Sequence, residues 1–145
     1  MSFQDLMSKA ADEVEAPKAT PPGTYVLAVL STETGESQQK KTPFLRVHFS
    51  IVDAGEDVDA DALEEAGGMA KVATRKLRHE FYITDDALFR LKDFMTMCGF
   101  DLAGKTLGEI VPDLVGAQVK AALIQKANQD GTVFYTNIAS FAPMD

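Results

Sequence analysis

TPFLRVHFSIVD, residues 42–53, is the stretch whose reading decides the fold. At a period of two, Leu45, Val47, Phe49 and Ile51 point to one side while Phe44, Arg46, His48 and Ser50 point to the other, the pattern of a strand with one buried face. A solvated strand face ordinarily carries Thr, Glu, Lys or Ser. Here an aromatic ring, a guanidinium and an imidazole stand in a row, and these groups can stack on a base and meet a phosphate.

A second segment repeats the pattern. In RKLRHEFYI, residues 75–83, Leu77, His79, Phe81 and Ile83 share one face, and Lys76, Arg78, Glu80 and Tyr82 share the other. Before residue 42, residues 24–32 form an apolar, β-branched run of strand length, followed by a polar loop over 33–43 with Lys40 and Lys41 just ahead of the central strand. Between the two patterned strands lies an acidic insertion, 53–68. Asp59 can cap a short helix there through Glu65, and Gly67 with Gly68 stops it. After residue 83, Leu88, Leu91, Phe94, Met95 and Cys98 make the buried stripe of a helix opened by Thr84 and Asp85 and closed at Gly99. Pro112 limits any helix over 107–111, residues 118–127 and 132–141 read as strands, and 128–131 as an Asp-Gly hairpin turn between them.

Five strands with a helix between the third and fourth follow the order of an OB-fold. The chain is therefore expected to be mainly β with short helices, a five-stranded OB-like barrel over residues 24–143. An amphipathic helix (1–16) and a Pro-rich linker (17–23) precede it. In an OB-fold the second and third strands carry the ligand face, and these are the two strands with cation and aromatic rows.

The length of 145 residues, with 46% hydrophobic and 25% charged, suits one core that needs neither metal nor disulfide. Cys98 is the single cysteine and reads as a small buried hydrophobe. No apolar run is long enough for a membrane span and the N-terminus lacks the apolar region of a signal peptide, so the chain is expected to act in the cytoplasm where it is made, without secretion or membrane contact. The net charge of −8 argues at first against a nucleic-acid partner. Its distribution changes that. Asp53, Glu56, Asp57, Asp59, Asp61, Glu64 and Glu65 form one acidic block without a cation, whereas residues 67–84 carry Lys71, Arg75, Lys76 and Arg78 against Glu80 alone. The acidic block could fold over the basic face and tune its affinity, the alternatives being a solvated loop or a protein-recruiting surface.

Residues 99–106, GFDLAGKT, match the phosphate-cradling G-x-x-x-x-G-K-T motif, but a P-loop follows a buried strand and opens a helix, and this stretch follows an amphipathic helix. His48 and His79 are the only histidines, which leaves no zinc pattern, and Asp57, Asp59 and Asp61 lack the glycine and closing glutamate of a calcium loop. No catalytic arrangement, cofactor or metal is expected, and the chain does not read as an enzyme.

In the order PPGTYVLAV, KKTPFLRVHFSIVD, HEFYI, a helix ending in CGFD, DLVGAQVKAAL and TNIASFAP, residues 22–143 resemble a family of small phage-encoded proteins of formally unknown function, thought to bind single-stranded DNA. The resemblance implies an OB-like fold and a role in phage DNA replication or recombination, with replication or recombination proteins as further partners. It supplies no set of binding residues, so these come from the faces alone. Lys40, Lys41, Arg46, Arg75, Lys76 and Arg78 are expected to meet phosphates, and Phe44, Tyr82 and His48 to stack on bases. The alternative is a non-enzymatic structural or assembly protein of the virion, a homo-oligomer joined through the N-terminal helix and sheet edges.

Overall fold

β1 (Gly23–Glu36) and β2 (Pro43–Ala54) form a long antiparallel pair that bends at two bulges. The protein is described here by a computed structural model, covering residues 3–8, 19–127, 129, 131 and 134–144. Leu30 on β1 and Val52 on β2 are the extra residues in the ladder, and each turns its strand and strengthens the local twist. Tyr25, Leu27 and Val29 point into the core before the Leu30 bulge. Beyond it the phase of β1 reverses, so that Glu33 lies opposite Arg46 and Gly35 opposite Phe44, on the outer face. The strand thus runs on through residues whose broken alternation reads as a loop from 33 onward.

β2 also pairs with β3 (Lys76–Tyr82), β1 with β4 (Gln118–Ala127), and β4 with β5 (Phe134–Ala142), all antiparallel. The strand order is β3-β2-β1-β4-β5. This corrects the expected OB-like barrel. The chain does build five strands with short helices, but the sheet is open, because closure requires a ladder between β3 and β5. Among the described residues no backbone hydrogen bond joins those two strands.

Rings bridge the gap instead. Phe141 of β5 lies 5.3 Å from His79 and 6.0 Å from Phe81 of β3, centroid to centroid. Phe94 of α4 (Leu88–Met97) sits against both phenylalanines, at 4.9 Å from Phe81 and 4.8 Å from Phe141. Burial lowers the His79 pKa by disfavouring the imidazolium, so the ring sits there neutral. One half of the seam between the edge strands is therefore bridged by aromatic rings, which line a recess of their own, and the other half is open to solvent.

Among the described residues, four short helices accompany α4: α1 (Phe3–Met7), α2 (Ala60–Glu65), α3 (Gly68–Val72) and α5 (Leu107–Ile110), the last continuing into a 3₁₀ turn (Val111–Leu114). Asp59 caps α2 by accepting from the Asp61 amide at 3.0 Å. Thr106 and Glu109 cap α5 reciprocally, at 3.0 and 3.3 Å. α4 begins four residues later than its sequence signal, because Thr84 Oγ accepts from the Ala87 amide in a preceding turn. Leu91, Phe94 and Met95 of α4 bury against the inner face of the sheet.

Residues 19–22 close one end of the core. Thr20 is fully buried; its hydroxyl accepts from Arg75 at 2.8 Å and its carbonyl from the Gln125 amide at 2.9 Å. The buried Tyr25 hydroxyl donates to the Pro21 carbonyl at 2.7 Å, and burial, helped by the Asp57 carboxylate, pushes the phenol up to about 12. Of the helix expected over 1–16, residues 3–8 are described and the rest lie outside the described residues, as do 128 and 130 of the expected hairpin turn. No helix among the described residues is long and apolar enough to cross a membrane.

Candidate nucleic-acid interface

The β2–β3 register sets the outer face in rows. Phe44 lies opposite Tyr82, Arg46 opposite Glu80, His48 opposite Arg78 and Ser50 opposite Lys76. β1 flanks these rows with Gly35, Glu33 and Ser31.

Arg46 is held by two carboxylates. Its Nε and Nη2 donate to Glu80 Oε1 at 3.0 and 2.8 Å, and its Nη1 donates to Glu33 Oε1 at 3.0 Å. His48 Nε2 lies 2.9 Å from the same Glu33 oxygen. The His48 imidazole and then the Arg46 guanidinium hold the Glu33 carboxyl below its ordinary range, while Glu80 and then Glu33 raise the pKa of Arg46. The charge expected to meet a phosphate is therefore already matched within the protein.

Phe44 is covered as well. It is 8% exposed, with the Arg46 guanidinium 4.9 Å from its ring centroid and Tyr82 edge-on at 6.3 Å. Its ring rests directly on Gly35, where an added Cβ would stand 2.7 Å from Phe44 Cζ. Of that aromatic pair, Tyr82 is the ring that solvent reaches.

The open half of the β3–β5 seam is a cleft of about 520 Å³ lined by His48, Lys76 and Arg78 on one wall and Tyr135, Thr136 and Asn137 on the other. Among the described residues neither Lys76 nor Arg78 forms an ion pair. Tyr135 is 56% exposed and faces them. The structure thus brings three of the sequence-derived candidates, His48, Lys76 and Arg78, to one cleft with Tyr135, which the two-strand reading missed. The signal lay in strand 5, where Tyr135 and Asn137 share an outward phase. A bulge at Ala139 returns Phe141 to the core and obscures that alternation.

Lys40 and Tyr82 meet at a second recess, of about 700 Å³, beyond the other end of the rows. Lys41 is exposed in the same turn, in a left-handed conformation with φ of 51°. Arg75 stands apart from all of these, since its guanidinium donates to Thr20 Oγ and the Ala66 carbonyl at 2.8 and 3.3 Å.

The acidic segment does not lie over the cleft. Asp57 accepts from the Thr24 amide at 3.0 Å and from its hydroxyl at 2.9 Å, bonds that hold the Asp57 carboxyl below its usual range. Val58 packs against Gly23, whose φ of 146° and missing side chain allow the contact. The segment is pinned to the start of β1, and none of its carboxylates lines the seam. In the P-loop-like stretch, Thr106 is engaged in capping α5. Among the described residues no group of three or more His, Cys, Asp or Glu could hold a metal ion. Burial pushes the Cys98 thiol up to about 12, which leaves it protonated and unreactive.

No protein-family model matches the chain, and no curated protein sequence matches it. Among solved structures it has a weak similarity to yeast RPA bound to ssDNA, with 8% identity and a TM-score of 0.34 over 100% of this chain and 88% of that chain. Two chains with that score need not share a fold.

Proposed function

We propose that the chain binds single-stranded DNA, with little sequence preference, along the cleft between β3 and β5 and the β2–β3 face beside it. The observation that carries this reading is the meeting, in one cleft, of two cations without ion-pair partners among the described residues, Lys76 and Arg78, with the exposed ring of Tyr135. A single strand offers a phosphate and an unstacked base per nucleotide, and this cleft offers a charge for the first and a flat ring for the second. Thr136 and Asn137 add hydrogen-bonding groups, while His48 stands beside Arg78 on the same wall.

Arg46 has a different role in this account. Bound to Glu80 and Glu33, it makes a near-neutral row between the cleft and the recess at Lys40, Lys41 and Tyr82. Arg78 and Tyr82 stand four positions apart, about 13 Å of β-strand, which a stacked single strand covers in roughly four nucleotides. Contacts at both ends would thus belong to one short site. The place of this activity in phage replication or recombination, and any protein partners there, rest on the family resemblance alone.

Fluorescence anisotropy with a labelled oligo-dT, repeated over a salt series, tests the proposal. Saturable binding at low salt is expected, with log K falling against log salt at a slope of at least about −1.4, the two phosphates met by Lys76 and Arg78, and steeper where Lys40 and Lys41 engage as well. No binding at low salt, or equal binding of a duplex of the same length, would overturn it.

A further inference from the structure

A second cleft, of about 320 Å³, lies between α4 and the segment that leads into α5, formed by Leu88, Phe89 and Lys92 on one side and Leu102, Lys105 and Leu107 on the other. We infer that it is a docking site for an acidic peptide bearing a large apolar side chain, independent of the DNA cleft. Phe89 is 56% exposed although it is the bulkiest group in the cleft, and three leucines complete an apolar floor. Both charged residues in the lining are cationic, on a chain whose net charge is −8. Among the described residues no acid lines the cleft: Asp93 lines the aromatic half of the β3–β5 seam, the Asp101 carboxylate accepts from the Ala103 amide at 3.0 Å, the Glu109 carboxylate accepts from the Thr106 amide at 3.0 Å, and Asp85 and Asp86 lie in the turn before α4. An apolar floor with a cationic rim complements a peptide that buries one large side chain and keeps carboxylates beside it.

A nucleotide fits this lining less well, even though Lys105 belongs to the G-x-x-x-x-G-K-T stretch. Four of the six lining side chains are hydrocarbon and offer a base edge no hydrogen bond. The Thr106 hydroxyl, which would serve a phosphate-bound metal in such a motif, instead accepts from the Glu109 amide at 3.3 Å.

The test is a ¹H–¹⁵N NMR titration of the full chain with a synthetic peptide in which aspartates flank one Phe and one Leu, and with a control in which lysine replaces each aspartate. Saturable shifts confined to residues 88–92 and 102–107 are expected for the acidic peptide alone. Affinity should fall at least tenfold in Lys92→Glu/Lys105→Glu and in Phe89→Ser, and should be unchanged in Arg78→Ala and Tyr135→Ala. If the double reversal does not fold, Lys92→Gln/Lys105→Gln should show the same loss. Absence of saturation, equal binding of the lysine control, or full binding by the charge variants would overturn the inference. So would tighter saturable binding of ATP with magnesium at the same residues, which would assign the cleft to a nucleotide.

Discussion

At the scale of the residue, Glu33 decides what the central row can do, because one carboxylate oxygen serves both Arg46 and His48. Replacing it by glutamine removes the negative charge between two cation-capable groups. Glu33→Gln is expected to bind oligo-dT more tightly at low salt and to steepen the salt slope by about 0.7, one further phosphate contact, as the same anisotropy titration would read. Glu33 could not be recognised from sequence as a partner of Arg46, because the Leu30 bulge reverses the phase of β1 and makes a continuing strand look like the start of a loop. Without that partner Arg46 reads as free, and without Gly35 beneath it Phe44 reads as exposed. Gly35→Ala should therefore displace the Phe44 ring and cost about 1–3 kcal/mol in denaturant unfolding.

His79 makes a pH prediction with a definite sign. Burial holds its pKa below the ordinary imidazole value of about 6.5, so the unfolded chain binds a proton more readily than the folded one. Stability should be fully present above that value and decline as pH falls from about 6.5 toward the lower folded pKa. Thermal melts between pH 7.5 and 5 should show this decline in the wild type and a shallower one in His79→Phe.

At the scale of the element, β5 is joined to the β3 side by rings rather than by backbone. Phe141 meets Phe49, His79, Phe81 and Phe94 at centroid distances of 4.8–6.0 Å. Phe141→Ala is expected to cost about 3 kcal/mol, toward the lower end for a packed phenylalanine because the residue is only partly buried. Amide hydrogen exchange should accelerate in β5 more than in β1 or β2. A β3–β5 ladder in solution would instead keep those amides protected. The strands themselves were legible because alternation and turn chemistry are local signals. Closure was not, since edge pairing depends on bulges and on Phe94 from α4 entering the gap, and neither is written as a period. The cap on α2 was legible for the opposite reason: Asp59 acts within its own turn.

At the scale of the whole molecule, the net charge of −8 hides a division of surfaces. Asp57 ties the acidic segment 53–65 to the first residues of β1, while Lys76 and Arg78 face the seam. Under the proposed function, a single strand approaching the seam would meet positive charge in an otherwise repulsive field, which would favour the cleft over adhesion elsewhere. Sequence reading found the cations because they cluster along one strand. It missed Tyr135, because a cleft between two edge strands joins residues nearly sixty positions apart and exists only when the sheet stays open.

The most direct test of this account compares oligo-dT binding by the wild type, Arg78→Glu and Tyr135→Ala in one low-salt anisotropy series. Tyr135→Ala should lose about 1–3 kcal/mol, roughly 5- to 150-fold in affinity, with the salt slope unchanged, while Arg78→Glu should weaken binding and flatten the slope by at least about 0.7. Wild-type affinity in both variants would contradict the assignment of the seam as the single-strand site.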